Sequence, residues 1–299
     1  MDELVTNDTN RDAPVGERLR NRMASLSPAE RKLARVLLAT YPTAGLESVA
    51  RFAERAAVSS PTVTRFVAKL GFRGYPEFQR VLRDEVQARL SSPLARYREA
   101  RPGRRADSLL TDVLEVSRAN LQTTQELISQ HDFEEVVELL AAPRRRVLVL
   151  GGRVSCQLAR YLANQLHLLR PNVGVVDADR TTPAQQLVDL RKGDVLIVFD
   201  YRRYQADTIE SARVAAAQGA HVVLFTDPWL SPAANCSGQV LVTSVETNGP
   251  FDSLVGATAA VEALVAALLS RLGSTAQARM QGFESLRAGV VIAADENGR

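Results

Sequence analysis

The chain has 299 residues, 45% hydrophobic and 24% charged, which is room for two domains or one large one. Two cysteines (Cys156, Cys236) and three scattered histidines (His131, His167, His221) exclude a disulfide scaffold and a four-cysteine zinc site, and no HExxH occurs. Net charge is +3, yet residues 51–83 alone hold 7 basic against 2 acidic side chains; that local excess suits a polyanion partner, the alternative being a solvated helix face.

Residues 1–25 are polar and aperiodic, which predicts a flexible arm. The acidic start MDELVTNDTNRD does not read as a signal peptide. Apolar runs such as VLVLGG and VLIVF fall short of the ~20 residues of a membrane span. A cytoplasmic protein with no membrane partner is expected.

Residues 26–90 read as a helical domain. Ser27, Pro28 and Glu30 form a helix start, Leu33, Val36, Leu37 and Tyr41 follow at helical spacing, and Pro42 ends the run. A short helix is expected over Leu46–Arg55 with Val49, Ala50 and Ala53 inward. A second runs over Ser60–Leu70, capped by Ser59 or Ser60 and stopped by Gly71. A further helix follows over 76–90. The pair 46–70 has the pattern of a helix-turn-helix, with Val49 and Ala53 facing Val63, Phe66, Val67 and Leu70. The opposite face of its second helix presents Thr62, Arg65 and Lys69, with Thr64 at the edge. Short hydroxyls and arginine suit base edges and phosphates in a major groove. Arg73 and Arg80, just beyond, suit backbone phosphates.

Residues 91–106 hold Ser, Pro, Gly and five arginines without apolar period, which predicts a linker. Helices are expected over 107–129 and 132–140. From Val147 onward short β-branched runs (147–150, 173–176, 195–199, 222–225, 240–242) alternate with helix-length segments (154–169, 183–190, 206–218, 253–272). Continuous apolar strands between helices predict a doubly wound, flavodoxin-like parallel sheet of five strands covered on both faces. That α/β domain is taken as 107–272, and 273–299 as a C-terminal tail. Whether the apolar helix 253–272 serves the core or a dimer contact stays open.

Ligands in such sheets sit at the carboxyl ends of the strands. Two loops there stand out. Gly151, Gly152, Arg153 and Ser155 follow the first strand, where backbone N–H groups and a hydroxyl can hold an anion; a plain strand-to-helix turn is the alternative. Tyr201, Arg202, Arg203 and Gln205 follow the third. Guanidinium groups bind carboxylate or phosphate; alternatively Asp200 pairs with Arg202 or Arg203 internally, or the loop packs in a subunit interface. Glu246, Asn248 and Ser253 can complete the pocket. His167, between Leu166 and Leu168, reads as a core or interface histidine, and Glu246 has no acid partner. No catalytic constellation, metal cluster or cofactor motif appears, so no enzyme, metal or cofactor is expected.

The stretch LSPAERKLARVLLATYP followed by SVARFAERAAVSSPTVTRFVAKLGFRGYPEFQRVLRDEV resembles the N-terminal domain of RpiR/MurR-type bacterial transcriptional regulators. The C-terminal half resembles the sugar isomerase (SIS) domain that accompanies it, and together the resemblance spans about Leu26 to Leu272. It implies DNA-facing roles for Ser59, Ser60, Thr62, Arg65, Lys69 and Arg73. It also implies a phosphosugar loop of the form S-x-S-G-x-T, from which this chain departs: Asp200, Arg202, Arg203 and Gln205 stand at those four places. Arg153 likewise replaces the second glycine of G-x-G-x-S, while Ser155 matches. The expectation is a homodimeric or homotetrameric regulator that binds a palindromic double-stranded operator and senses a small anionic effector, a sugar phosphate or a carboxylate. Two competing readings are a sugar-phosphate isomerase with an accessory helical domain, and a DNA-binding protein whose α/β domain serves assembly alone.

Overall fold

The structure, a computed structural model, describes residues 14–39, 41–90, 93–99, 106–176 and 183–296. Its first part is helical: α1 (Val15–Arg22), α2 (Pro28–Ala39), α3 (Thr43–Leu46), α4 (Val49–Arg55), α5 (Ser60–Lys69) and α6 (Tyr75–Leu90). Ser27 N donates to Glu30 Oε2 at 2.7 Å and Glu30 N to Ser27 Oγ at 3.4 Å, the capping box that starts α2. Gly71, at φ +94°, ends α5 in left-handed backbone. Leu33, Leu37, Phe52, Val63, Phe66, Val67, Phe78 and Leu82 share one core.

Two expectations are corrected here. Ser48 caps α4, accepting from Arg51 N at 3.3 Å, so α4 starts later than Leu46. Its inward stripe includes Phe52, Ala53 and Ala56, while Ala50 is exposed: burying a phenyl ring outweighs burying a methyl group. Residues 14–25 are not an arm. Val15 and Leu19, four apart on α1, are buried in the same core, and Glu85 accepts from Val15 N at 2.8 Å. Residues 1–13 of the expected arm, and 91–92 and 100–105 of the expected linker, lie outside the described residues.

The linker itself contains a helix, α7 (Pro93–Glu99). Then come α8 (Ala106–Leu127), α9 (Gln130–Ala141), β1 (Val147–Gly151), α10 (Cys156–Leu169), β2 (Val173–Val175), α11 (Pro183–Leu187), β3 (Val195–Phe199), α12 (Ala206–Ala217), β4 (His221–Thr226), β5 (Gln239–Val242), α13 (Val255–Leu272) and α14 (Ser274–Glu296). The strands lie in the order β2-β1-β3-β4-β5 and all neighbouring pairs are parallel. Alternate residues of each strand face opposite cores. Val149, Ile197 and Phe225 pack under α9, α10 and α13; Leu148, Val198 and Leu224 pack under α11 and α12.

The described part of the stretch read as a C-terminal tail, residues 273–296, carries a helix that packs on the core. Ala276 of α14 is buried in the core, Met280 packs against it, and Arg279 Nε donates to His167 O at 2.8 Å. The His167 side chain is exposed, so it is not a core histidine. Helix α13 is apolar and long enough to cross a membrane by length and composition, which the short strand runs did not reveal. Its Ala257, Ala260, Val261, Leu264 and Leu268 are nevertheless buried in the core of the α/β domain.

Helix α8 grips the loop after β5. Asn120 Nδ2 donates to Glu246 O at 2.7 Å, Ser244 Oγ to Asn120 Oδ1 at 2.6 Å, and Ser244 N to Thr124 Oγ1 at 3.0 Å. Gly256 allows this approach, since a Cβ there would lie 2.3 Å from Thr124 Oγ1. The helical domain also meets the α/β domain: a Cβ at Gly16 of α1 would lie 3.1 Å from Leu230 Cδ1.

Candidate functional site

Two surfaces carry the chemistry. On α5, Ser59, Ser60, Thr64 and Arg65 are exposed, while Val63, Phe66 and Val67 fix the helix to the core behind them. Ser59 Oγ lies 2.9 Å from Thr62 Oγ1, and Arg65 reaches Thr62 Oγ1 at 3.5 Å, so these groups form one polar strip. Thr64 Oγ1 donates to Ser60 O at 3.3 Å. Arg73 is exposed beyond the helix, its amide donating to Glu77 Oε2 at 2.6 Å. Lys69 departs from the strip: its ammonium donates to Ser25 O at 2.7 Å and pairs with Glu30 at 3.0 Å. Ser25, read as the end of the arm, supplies the first of these partners, and Glu30 of α2 the second. Arg80 pairs with Asp84 on the next turn of α6 at 3.3 Å.

The second surface is a cavity of about 400 Å³ at the carboxyl ends of β1 and β3. These are the strands between which the chain order reverses, where doubly wound sheets place their ligands. Its walls include Gly152, Arg153, Ser155, Tyr201, Arg202, Arg203 and Gln205, so both loops read from the sequence meet in it. Gly151 is not in the wall; a Cβ there would lie 2.5 Å from Cys156 N, so this glycine serves the tight entry to α10. Glu246 and Ser253 are also outside the wall. Glu246 is exposed, and Ser253 Oγ turns back to accept from Val255 N at 3.4 Å. The loop after β5 enters the cavity through Pro250, Phe251, Asp252 and Leu254 instead.

Several polar groups of the cavity are already engaged. Ser155 Oγ accepts from Gly152 N at 2.9 Å and donates to Phe199 O at 2.7 Å, bolting the first loop to β3. Gln205 Oε1 accepts from Arg153 N, so an amide oxygen sits in the N–H cradle where an anion was expected. Tyr201 is buried with its Oη 3.0 Å from Thr243 Oγ1, and burial pushes its phenol up. Asp200 does not pair with an arginine: it accepts from Ser231 Oγ and, at 3.4 Å, from Gln205 N. Burial pushes its carboxyl up to about 6 against those two hydrogen bonds, and the charges of Asp227 and Asp207 add to the rise. Arg203 has φ +59°, the left-handed backbone of the glycine that the resemblance puts there.

Arg202 finds its partner in a residue that the sequence reading missed. Its Nε and Nη2 donate to the two oxygens of Asp252, the former at 3.2 Å, and its guanidinium lies 4.0 Å above the Trp229 ring. Arg96 of α7 donates to Asp252 Oδ1 at 2.7 Å and to Gly249 O at 3.2 Å. Asp252 thus bridges a pocket arginine and a linker arginine.

The helix-turn-helix domain model of the rpiR family matches residues 14–89, and the SIS domain model matches residues 140–267. The HTH-type transcriptional regulator HexR of Pseudomonas aeruginosa is 30% identical over 224 residues, 74% of this chain and 75% of that protein. The chain belongs to the RpiR family. HexR of Escherichia coli is 26% identical over 211 residues, 70% of this chain and 71% of its own. The sugar isomerase domain of the RpiR transcription factor from Sphaerobacter thermophilus is 27% identical, with a TM-score of 0.56, covering 60% of this chain and 99% of that one. The Vibrio vulnificus NanR protein, solved in complex with ManNAc-6P, shares the fold at 20% identity and a TM-score of 0.51, covering 92% of this chain and 98% of its own. As an RpiR-family member the chain is a helix-turn-helix transcriptional regulator and not an enzyme, which sets the isomerase alternative aside. The family match begins at residue 14, in keeping with the correction that brings α1 into the helical domain.

Proposed function

We propose that this regulator reads a palindromic operator with α5 in the major groove and responds to a small anionic metabolite in the cavity between β1 and β3. Ser59, Ser60, Thr62, Thr64 and Arg65 form the base- and phosphate-facing strip, with Arg73 on the flanking backbone. One helix-turn-helix covers little DNA, so two copies on a two-fold site are part of the reading, in a homodimer or homotetramer acting in the cytoplasm. Exposed Leu110, Val113 and Leu114 on α8 support a second copy packing there.

The observation that carries the effector reading is the convergence of Arg96, Arg153, Arg202 and Arg203 on one cavity at the switch point of the sheet. A guanidinium set takes phosphate or carboxylate, and NanR, of the same fold, is solved with a phosphorylated sugar. The engagement of Arg202 by Asp252 favours a second reading, in which the α/β domain serves assembly alone. Thermal unfolding against sugar phosphates, amino acids and organic acids separates the two. A ligand at 100 times its Kd raises stability by about 2.7 kcal/mol and shifts the midpoint. No shift with any anion favours the assembly reading.

A further inference from the structure

We infer that Asp252 is a tethered competitor for the effector's anionic group, and that its displacement releases the linker helix α7 from the pocket. The inference rests on the effector reading above.

The geometry is that of a ligand already bound. The Asp252 carboxylate takes the two parallel N–H groups of Arg202, the donors that a phosphate or carboxylate ligand would take in this cavity, and a third N–H from Arg96 of α7. The Arg202 and Arg96 side chains are 9% and 18% exposed, so these guanidinium groups are largely shielded from water and both reach one carboxylate. The cavity wall holds four arginines, Arg96, Arg153, Arg202 and Arg203, against the carboxyl groups of Asp200 and Asp252, which leaves a net positive charge. An anion that enters is attracted by this excess and exchanges with Asp252 for the paired N–H groups of Arg202, so that Arg96 loses its carboxylate partner.

The exchange has a mechanical consequence because of where Asp252 sits. Its loop is held from the linker side twice. Arg96 of α7 binds Asp252 and Gly249 O, while Asn120 and Thr124 of α8 bind Glu246 O and Ser244. Pro93 of α7 also lines the cavity. Helices α7 and α8 follow directly on the helical domain that carries α5. Moving Asp252 off the arginines removes the ionic tie between α7 and the loop and leaves the α8 grip in place. Effector binding is thereby coupled to freedom of the linker, as a ligand with different affinity for two states requires.

The test uses full-length protein and inorganic phosphate, with hydrogen exchange read over residues 93–99 and 249–254 and phosphate affinity read by thermal shift. Phosphate is expected to speed exchange of α7 in the wild type. Asp252→Asn is expected to show that fast exchange without phosphate, no further change with it, and phosphate binding about tenfold tighter. Arg96→Ala is the second variant, should Asp252→Asn fail to fold. It is expected to free α7 without phosphate and to bind phosphate no more tightly than the wild type. Equal phosphate affinity in the wild type and Asp252→Asn overturns the competitor and leaves the effector reading standing. An α7 that stays protected in Arg96→Ala, or that phosphate protects further, overturns the release. Phosphate binding to none of the three proteins overturns both the inference and the effector reading.

Discussion

The strip on α5 and the cavity at the sheet edge both present arginine to an anion, yet the two are built in opposite ways. Arg65 is exposed and makes a 3.5 Å reach to Thr62. Arg202 is shielded, stacked on Trp229 and clamped to Asp252. The first surface is a rigid helix with polar groups left outward for a partner. The second closes on itself, with Gln205, Asp252 and Ser155 taking up donors that a ligand would use. A surface with free donors binds by adding contacts, whereas a satisfied one binds by exchange. Substitutions in the strip should therefore change binding without changing stability, and substitutions in the cavity should change both.

The largest effect that tests this contrast is pH-dependent. Asp200 has a folded value near 6 against about 3.9 for a free aspartate, so the folded state holds its proton more tightly. Its contribution to stability is therefore highest below pH ~4, declines as pH rises, and is fully lost above ~6. Apart from a constant offset from altered hydrogen bonds, Asp200→Asn should gain on the wild type by about 3 kcal/mol across that window. Urea unfolding from pH 3 to pH 7 measures it, and parallel curves for the two proteins would refute the burial account.

Next in size is a matched pair. Arg202→Ala removes the bidentate partner of Asp252 and the stack on Trp229, and should cost about 2–3 kcal/mol of stability. Arg65→Ala should leave stability within about 0.5 kcal/mol. Equal losses in denaturant melts would erase the distinction between the surfaces. The smallest effect is local: Arg203→Gly relieves left-handed backbone at φ +59°, and should stabilise by about 0.5–1 kcal/mol, read as a raised Tm.

What was legible follows from how each part is made. Parallel strands buried on both faces are continuous apolar runs, so all five strands and the helices between them were readable to within a few residues. The second helix of the helix-turn-helix was readable because the Ser59–Pro61 start and Gly71 punctuate its two ends. Helices α1 and α14 were not, since each buries few apolar side chains among polar ones: Val15 and Leu19 in one, Ala276 in the other. The two cavity loops were legible because strand ends predict where ligands sit. Asp252 and Arg96 were not, because the ties of Asp252 to Arg202 and to Arg96 span 50 and 156 residues, and no local pattern marks a partner so distant. Glu246 and Ser253 were chosen from the right loop, whose backbone turns a different residue inward.

The central claim is that α5 reads DNA, and selection from random duplexes tests it most directly. The wild type should enrich a palindromic site, and Arg65→Ala should lose preference at one position in each half-site, at a cost of about 1–3 kcal/mol in affinity for the selected duplex. An unchanged motif bound with unchanged affinity would contradict the assignment of the recognition helix.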